Sequence, residues 1–348
     1  MKLKSFIIGT AAALSVASMA IADRGSDGHV NIIYWQAPSI LNPYLSGGTK
    51  DVESSSMIIE PLARYNQDGE LTAWLVNEIP TVANGGVSAD LMSITWNITP
   101  GIKWSDGSAF TAHDVVFSGN YCMDPDGGCA QSNKLADVAN IEALDDLTVK
   151  VTFSVAKPFP YGPFVGAEQP IIQKAQFADC MGAKAPECTA ENFGPIGTGP
   201  FVVTDFKAND VITMEANPHY RDASKPAFAS VTFKGGGDAA AAARSVLETG
   251  EFDYAWNLQI DPTILANMAA VGKGTVISSF GTATERLMVN LSNPDPALGD
   301  LRSTLEGGPH PFLTDAAVRR ALSVSIDRNL LAEVGYGAAG KATCNIVP

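Results

Sequence analysis

Hydrophobic and polar positions alternate most clearly in two short stretches. Ile94, Trp96 and Ile98 alternate with Thr95 and Asn97, and Leu147, Val149, Val151 and Phe153 alternate with Thr148, Lys150 and Thr152. A period of two gives each segment one dry and one wet face, which predicts antiparallel strands on a half-covered sheet. Between them Trp104-Ser105-Asp106-Gly107 reads as a turn. Thr111, with Asp114 three residues on, reads as the capping box of a helix carrying Val115, Val116 and Phe117. Apolar, β-prone runs at 30–35, 201–206, 211–216 and 229–233 predict further strands, residues 52–62 have helical spacing, and Asn66-Gln67-Asp68-Gly69 reads as a turn. Gly197-Thr198-Gly199-Pro200-Phe201 leads into a strand, whereas a phosphate loop needs a helix N-terminus and a lysine; it is read as a tight backbone crossing between domains.

Residues 238–249 form an alanine-rich helical stretch, capped by Asp238 and stopped by Gly250, that leads into the short strand around Tyr254, Ala255 and Trp256. Helix, glycine and strand make an α/β unit, and in open α/β sheets ligands sit beyond the carboxyl ends of strands. Trp256 at that end suits a ligand wall or the core equally. Farther on, Val318, Leu322, Ile326, Leu330 and Val334 recur every four residues, so one face of one or two helices demands burial. The 348-residue sequence ends soon afterwards, and most of what that face should pack against is not encoded.

The amino-terminal pattern is of another kind. Lys2 and Lys4 precede an apolar stretch from Phe6 to about Val16, and Ala20 and Ala22 stand just before the polar Asp23-Arg24. This is the pattern of a secretory signal peptide cleaved after Ala22, with an apolar stretch too short to span a bilayer. Removing residues 1–22 takes the charge from −14 to −16, because the segment holds two lysines and no acid. So acidic a chain is repelled by phosphate backbones, which argues against a nucleic-acid partner. Because Asp23, and not a cysteine, directly follows the cleavage point, a freely diffusing periplasmic protein is expected.

Cysteine usage agrees with export. Cys122 and Cys129 are close in sequence, as are Cys180 and Cys188, and an oxidising compartment would let each pair close a short loop, leaving Cys344 over. Their spacings are not those of a zinc site, so no metal is expected. The four histidines, at 29, 113, 219 and 310, are scattered, with no His-Glu-x-x-His arrangement, and no Gly-x-Ser-x-Gly elbow is present. Asp124-Pro125-Asp126-Gly127-Gly128 lacks the later ligands of a calcium loop and reads as a turn. The chemistry therefore points to binding, with no catalytic residues and no cofactor; a secreted hydrolase using scattered carboxylates is the alternative from another class.

Taken together, six segments resemble the solute-binding proteins of ABC importers of the oligopeptide, dipeptide and nickel type, bacterial extracellular solute-binding protein family 5. They are Leu41-Asn42-Pro43; Trp104-Ser105-Asp106-Gly107 with Thr111-Ala112-His113-Asp114-Val115; Pro195-Ile196-Gly197-Thr198-Gly199-Pro200-Phe201; Asn217-Pro218-His219-Tyr220; Gly250-Glu251-Phe252-Asp253; and Val318-Arg319-Arg320-Ala321-Leu322 with Ile326-Asp327-Arg328. The resemblance implies an α/β, periplasmic-binding-protein type II-like two-lobe fold with an inserted mixed β/α domain. Residues 23–66 and 191–285 would form lobe I, 67–190 the insertion and 286–348 the start of an incomplete, C-terminally truncated lobe II. It also implies ligand contacts at Gly47, Gly48 and Thr49, at Trp256, Asn257 and Leu258, and at Arg286. A Gly-Gly-Thr loop and Asn257 can supply hydrogen-bonding groups to an extended peptide, and Trp256 an aromatic wall. The implied function is capture of a peptide or other small solute, as a monomer, for the permease subunits of the importer. An oligosaccharide, opine-like or nickel-complex ligand remains open on the same fold. The truncation predicts weak binding and exposed apolar surface over 318–334.

Overall fold

The computed structural model describes residues 23–278 and 284–344; the predicted signal peptide lies outside the described residues. The chain divides into two compact units, one built from Pro38–Phe233 with the chain up to Val30, the other from Asn31–Ala37 with the chain from Lys234 onward. Strand β1 (His29–Tyr34) runs through that boundary.

In the first unit the chain forms α1 (Thr49–Ser55), the hairpin β2 (Ala63–Tyr65) and β3 (Leu71–Ala73), then β4 (Ser93–Asn97) and α2 (Ala112–Met123). The hairpin turns through Asn66 to Gly69, where the Gly69 amide donates to the Asn66 carbonyl. Strands β5 (Val138–Asp145) and β6 (Thr148–Phe153) follow, with β6 in the centre of an antiparallel sheet of order β4-β6-β5. Ile94 faces Val151 and Trp96 faces Val149 across the β4–β6 register. All four are fully buried, while the alternate residues Thr95, Lys150 and Thr152 are half-exposed, the two-faced sheet that the spacing predicts. On α2 the capping box is formed: the Thr111 amide donates to Asp114 Oδ2 at 2.9 Å. This helix buries Val115, Ser118, Tyr121 and Cys122.

Short helices α3 (Lys174–Phe177) and α4 (Thr189–Phe193) precede β7 (Phe201–Lys207), β8 (Val211–Ala216) and β9 (Ser230–Gly235). Strands β7 and β8 pair antiparallel. The helical spacing of 52–62 is realised only as far as Ser55. Beyond it the carbonyls of Met57 and Ile58 turn outward and accept the amides of Phe201 and Gly199, at 3.1 and 2.8 Å, and Pro61 could not have continued the helix. This is the backbone crossing that the Gly197-Thr198-Gly199 run predicts. A Cβ on Gly197 would lie 1.8 Å from the Ile58 carbonyl oxygen, so only glycine fits. The crossing lies within the first unit.

The second unit holds the parallel pair of β1 and β10 (Tyr254–Trp256), with α5 (Ala239–Leu247) before β10 and α6 (Pro262–Ala269) after it. Asp238 caps α5 by accepting the Ala241 amide at 2.7 Å, and Gly250, at φ +68°, follows the helix end. Ala243, Leu247 and Met268 form a small core between α5 and α6, with Leu258, Ile260 and Leu265 packed against it. Helices α7 (Ala316–Val324) and α8 (Arg328–Tyr336) divide the four-residue apolar repeat at Asp327, which caps α8, and neither helix has a buried residue. Among the described residues no helix is long and apolar enough to cross a membrane.

Candidate functional site

The first set of candidate residues, Gly47, Gly48 and Thr49, sits where the loop after β1 enters α1. Gly47 and Thr49 are exposed. Gly48 is committed inside the loop: its amide donates to Ser46 Oγ at 3.1 Å, and its carbonyl accepts the amides of Asp51 and Val52. The expectation that the glycine pair offers its backbone to a ligand therefore narrows to Gly47, with Thr49 beside it.

Beneath the loop lies Asp51, which sequence reasoning missed although it is 1% exposed. Its carboxylate accepts the Ser39 amide at 2.7 Å, Ser46 Oγ at 2.7 Å and, on both of its oxygens, the Lys50 ammonium at 2.9 Å. Burial pushes the carboxyl up, but the hydrogen bonds from Lys50, Ser46 and Ser39, together with the Lys50 charge, outweigh it and hold the group below the usual carboxylate range. The loop is also tied from its other side. Asn42 Nδ2 donates to Tyr121 Oη and to Asn192 Oδ1, Tyr44 Oη donates to the Pro170 carbonyl at 2.6 Å, and the Ala130 amide donates to the Tyr44 carbonyl.

The second set lies in the other unit, at the carboxyl end of β10. Trp256 is the register partner of Tyr34 on β1, and the two rings stack with centroids 5.1 Å apart and planes 26° apart. Both aromatics thus stand at the carboxyl ends of a parallel strand pair. Tyr34 is buried and Trp256 half-buried. Asn257 follows at φ +56°, a left-handed conformation that asparagine tolerates better than most side chains. Leu258 packs against the α5–α6 core, and Arg286 is exposed. Within this set the structure brings Trp256 together with Tyr34, a partner the sequence does not reveal because the two lie 222 residues apart.

A second buried carboxylate, Glu60, is fully enclosed in the first unit. It accepts Trp74 Nε1 at 2.6 Å, Thr198 Oγ1 at 2.9 Å and Arg221 Nη1 at 2.7 Å. Arg64 and Arg221 both lie over the Trp74 ring, 4.5 and 5.0 Å from its centroid. Every acceptor oxygen of Glu60 is thus occupied from within the unit, which suits a structural clamp. Cys122 is bonded to Cys129 and Cys180 to Cys188, and Cys344 is free and exposed. Among the described residues the one grouping of three metal-capable side chains is Cys180, Cys188 and Glu191, and two of these are joined to each other.

The sequence model of the bacterial extracellular solute-binding proteins, family 5 (middle part), matches residues 74–348. Protein XP55 of Streptomyces lividans is 27% identical over 341 residues, covering 97% of this chain and 56% of its own. The glutathione-binding protein GsiB of Pectobacterium atrosepticum is 26% identical over 303 residues, covering 87% of this chain and 52% of its own. Among solved structures, the oligopeptide-binding protein AppA of Bacillus subtilis in complex with a nonapeptide shares the fold. It matches at TM-score 0.68 and 20% identity over 90% of this chain and 56% of its own. The chain spans about half the length of the curated relatives it matches.

Proposed function

Because the chain belongs to the bacterial extracellular solute-binding proteins, family 5, we propose that it is the solute-binding subunit of an ABC importer and that it takes peptides. The observation that carries this reading is the family match across residues 74–348. Peptides are favoured among solutes because the relative GsiB is named for glutathione and AppA holds a nonapeptide. The residue chemistry suits such a ligand. Gly47 and Thr49 offer polar groups on a loop hydrogen-bonded from below, and Trp256 offers an aromatic wall that accepts varied side chains. Asn257 adds an amide, and Arg286 a charge for a carboxylate; Gly48 and Leu258 act by shaping the backbone on which these groups stand.

In this reading residues 1–22 are removed on export and the protein works as a monomer outside the cytoplasm with the permease subunits of its importer. It binds no nucleic acid and does no covalent chemistry; its family consists of substrate-binding proteins and not of enzymes. Residues 67–190 form an insertion in lobe I, and 286–348 the start of lobe II.

The test is mass spectrometry of small molecules released when the purified, exported protein is denatured. The reading expects short peptides. An opine-like conjugate, an oligosaccharide or a nickel complex in their place would overturn the peptide assignment, and turnover of an added peptide or glycoside would overturn the receptor assignment itself.

A further inference from the structure

Among the buried carboxylates of the first unit, Glu60 is satisfied by Trp74, Thr198 and Arg221, outside the proposed ligand loop, and Asp114 caps α2, whereas Asp51 is satisfied by the loop itself. We propose that Asp51 is the positioning residue of the Gly47–Thr49 loop, fixing in the empty protein the geometry that meets a peptide. The proposal rests on the solute-binding reading and adds to it a residue that need not touch the ligand.

Three observations carry it. First, the carboxylate gathers both ends of the loop: Ser39 at the start, through its amide at 2.7 Å and its hydroxyl at 3.1 Å, and Ser46 next to the glycines at 2.7 Å. Second, the hold is relayed onto the glycine backbone, since Ser46 Oγ donates to Asp51 and accepts the Gly48 amide at 3.1 Å. A Cβ on Gly48 would stand 3.1 Å from Asp51 Oδ2 and 3.3 Å from Ser46 Oγ, so the loop is drawn down onto the carboxylate as far as a glycine allows. Third, Lys50 is turned inward onto Asp51 and Ser39, at 2.9 and 2.7 Å, which neutralises the buried charge and takes the lysine out of play as a ligand group. A carboxylate in these bonds is acceptor-only, and each bond it accepts fixes the direction of a donor. A loop ordered before binding loses less freedom when the ligand arrives, so affinity depends on Asp51 without contact.

The experiment is amide hydrogen exchange across residues 45–50 in the 348-residue protein, comparing wild type, Asp51→Asn, Asp51→Ala and the control Glu60→Gln, with calorimetric titration of trialanine alongside. Asp51→Asn keeps the shape and loses half of the acceptor capacity. It is expected to raise loop exchange about tenfold and to weaken trialanine binding by a similar factor. Glu60→Gln is expected to lower the unfolding temperature without loosening the loop. If Asp51→Ala fails to fold, the asparagine variant decides. Unchanged exchange in Asp51→Asn overturns the proposal, as does an equal rise in Glu60→Gln, which would show general loosening only. Should wild type take up no trialanine, peptide capture is what fails, and the exchange comparison still decides the role of Asp51.

Discussion

Helices α2 and α7 begin alike and end up differently. Both start from a capping residue, Thr111 or Asp315, and both carry apolar residues at helical spacing. Yet α2 buries Val115, Tyr121 and Cys122, among others, whereas α7 buries nothing, and Leu322 and Val324 stand 45% and 73% exposed. The neighbouring α8 repeats the pattern, with Leu330, Leu331 and Val334 all more than half exposed. An amphipathic repeat therefore states a demand for burial, and the rest of the fold decides whether it is met. Caps and local hydrogen bonds shape both helices, but only α2 gains from tertiary packing, the larger source of helical stability.

The largest effects should fall in the packed region. Trp96→Ala removes a fully buried indole and Glu60→Ala strands the guanidinium of Arg221; each is expected to cost about 3–5 kcal/mol in denaturant unfolding. The matching change in the exposed region, Leu330→Ala, is expected to stay within about 0.5 kcal/mol. Equal losses at Trp96 and Leu330 would break the contrast. Next in size, Cys122→Ser with Cys129→Ser opens a staple of sequence separation 7 and is expected to cost about 2–3 kcal/mol, read as a lower unfolding midpoint under oxidising conditions.

These contrasts also show what the sequence discloses. A period of two exposes β4 and β6 because each has a dry face, and a capping box exposes α2 because its logic is local. Strand β5 goes unread: along 138–145 only Ile141 is buried, so its pattern is that of a solvated segment. The glycines at 197 and 199 are legible as a crossing, but what they cross, Met57 and Ile58, is known only once the chain is folded. The same holds for the candidate site. Gly47, Trp256 and Asn257 follow from a family pattern, whereas Asp51 and Tyr34 stand beside them through partners that no spacing announces.

Smaller effects sharpen the comparison at single atoms. Gly197→Ala must displace the Ile58 carbonyl and is expected to cost about 1–3 kcal/mol, while Gly47→Ala, with open space around its Cβ position, should unfold like wild type. Acid should act on the first unit through Asp51, whose carboxyl sits below its ordinary value near 3.8. Its folded value is lower than its unfolded one, so its contribution is complete above about pH 4 and is lost as the pH falls through the folded value. Asp51→Asn is accordingly expected to flatten the acid limb of a stability–pH curve measured between about pH 5 and 2, and an unchanged limb would contradict it.

If the protein captures peptides, the indole beside Tyr34 meets them. Titrating the 348-residue protein with a defined mixture of tripeptides, wild type against Trp256→Ala, tests it most directly. Wild type is expected to give heat of binding and the variant an affinity at least about tenfold weaker, with the unfolding midpoint lowered only by loss of the Tyr34 stack. Equal affinity in the two proteins would contradict it.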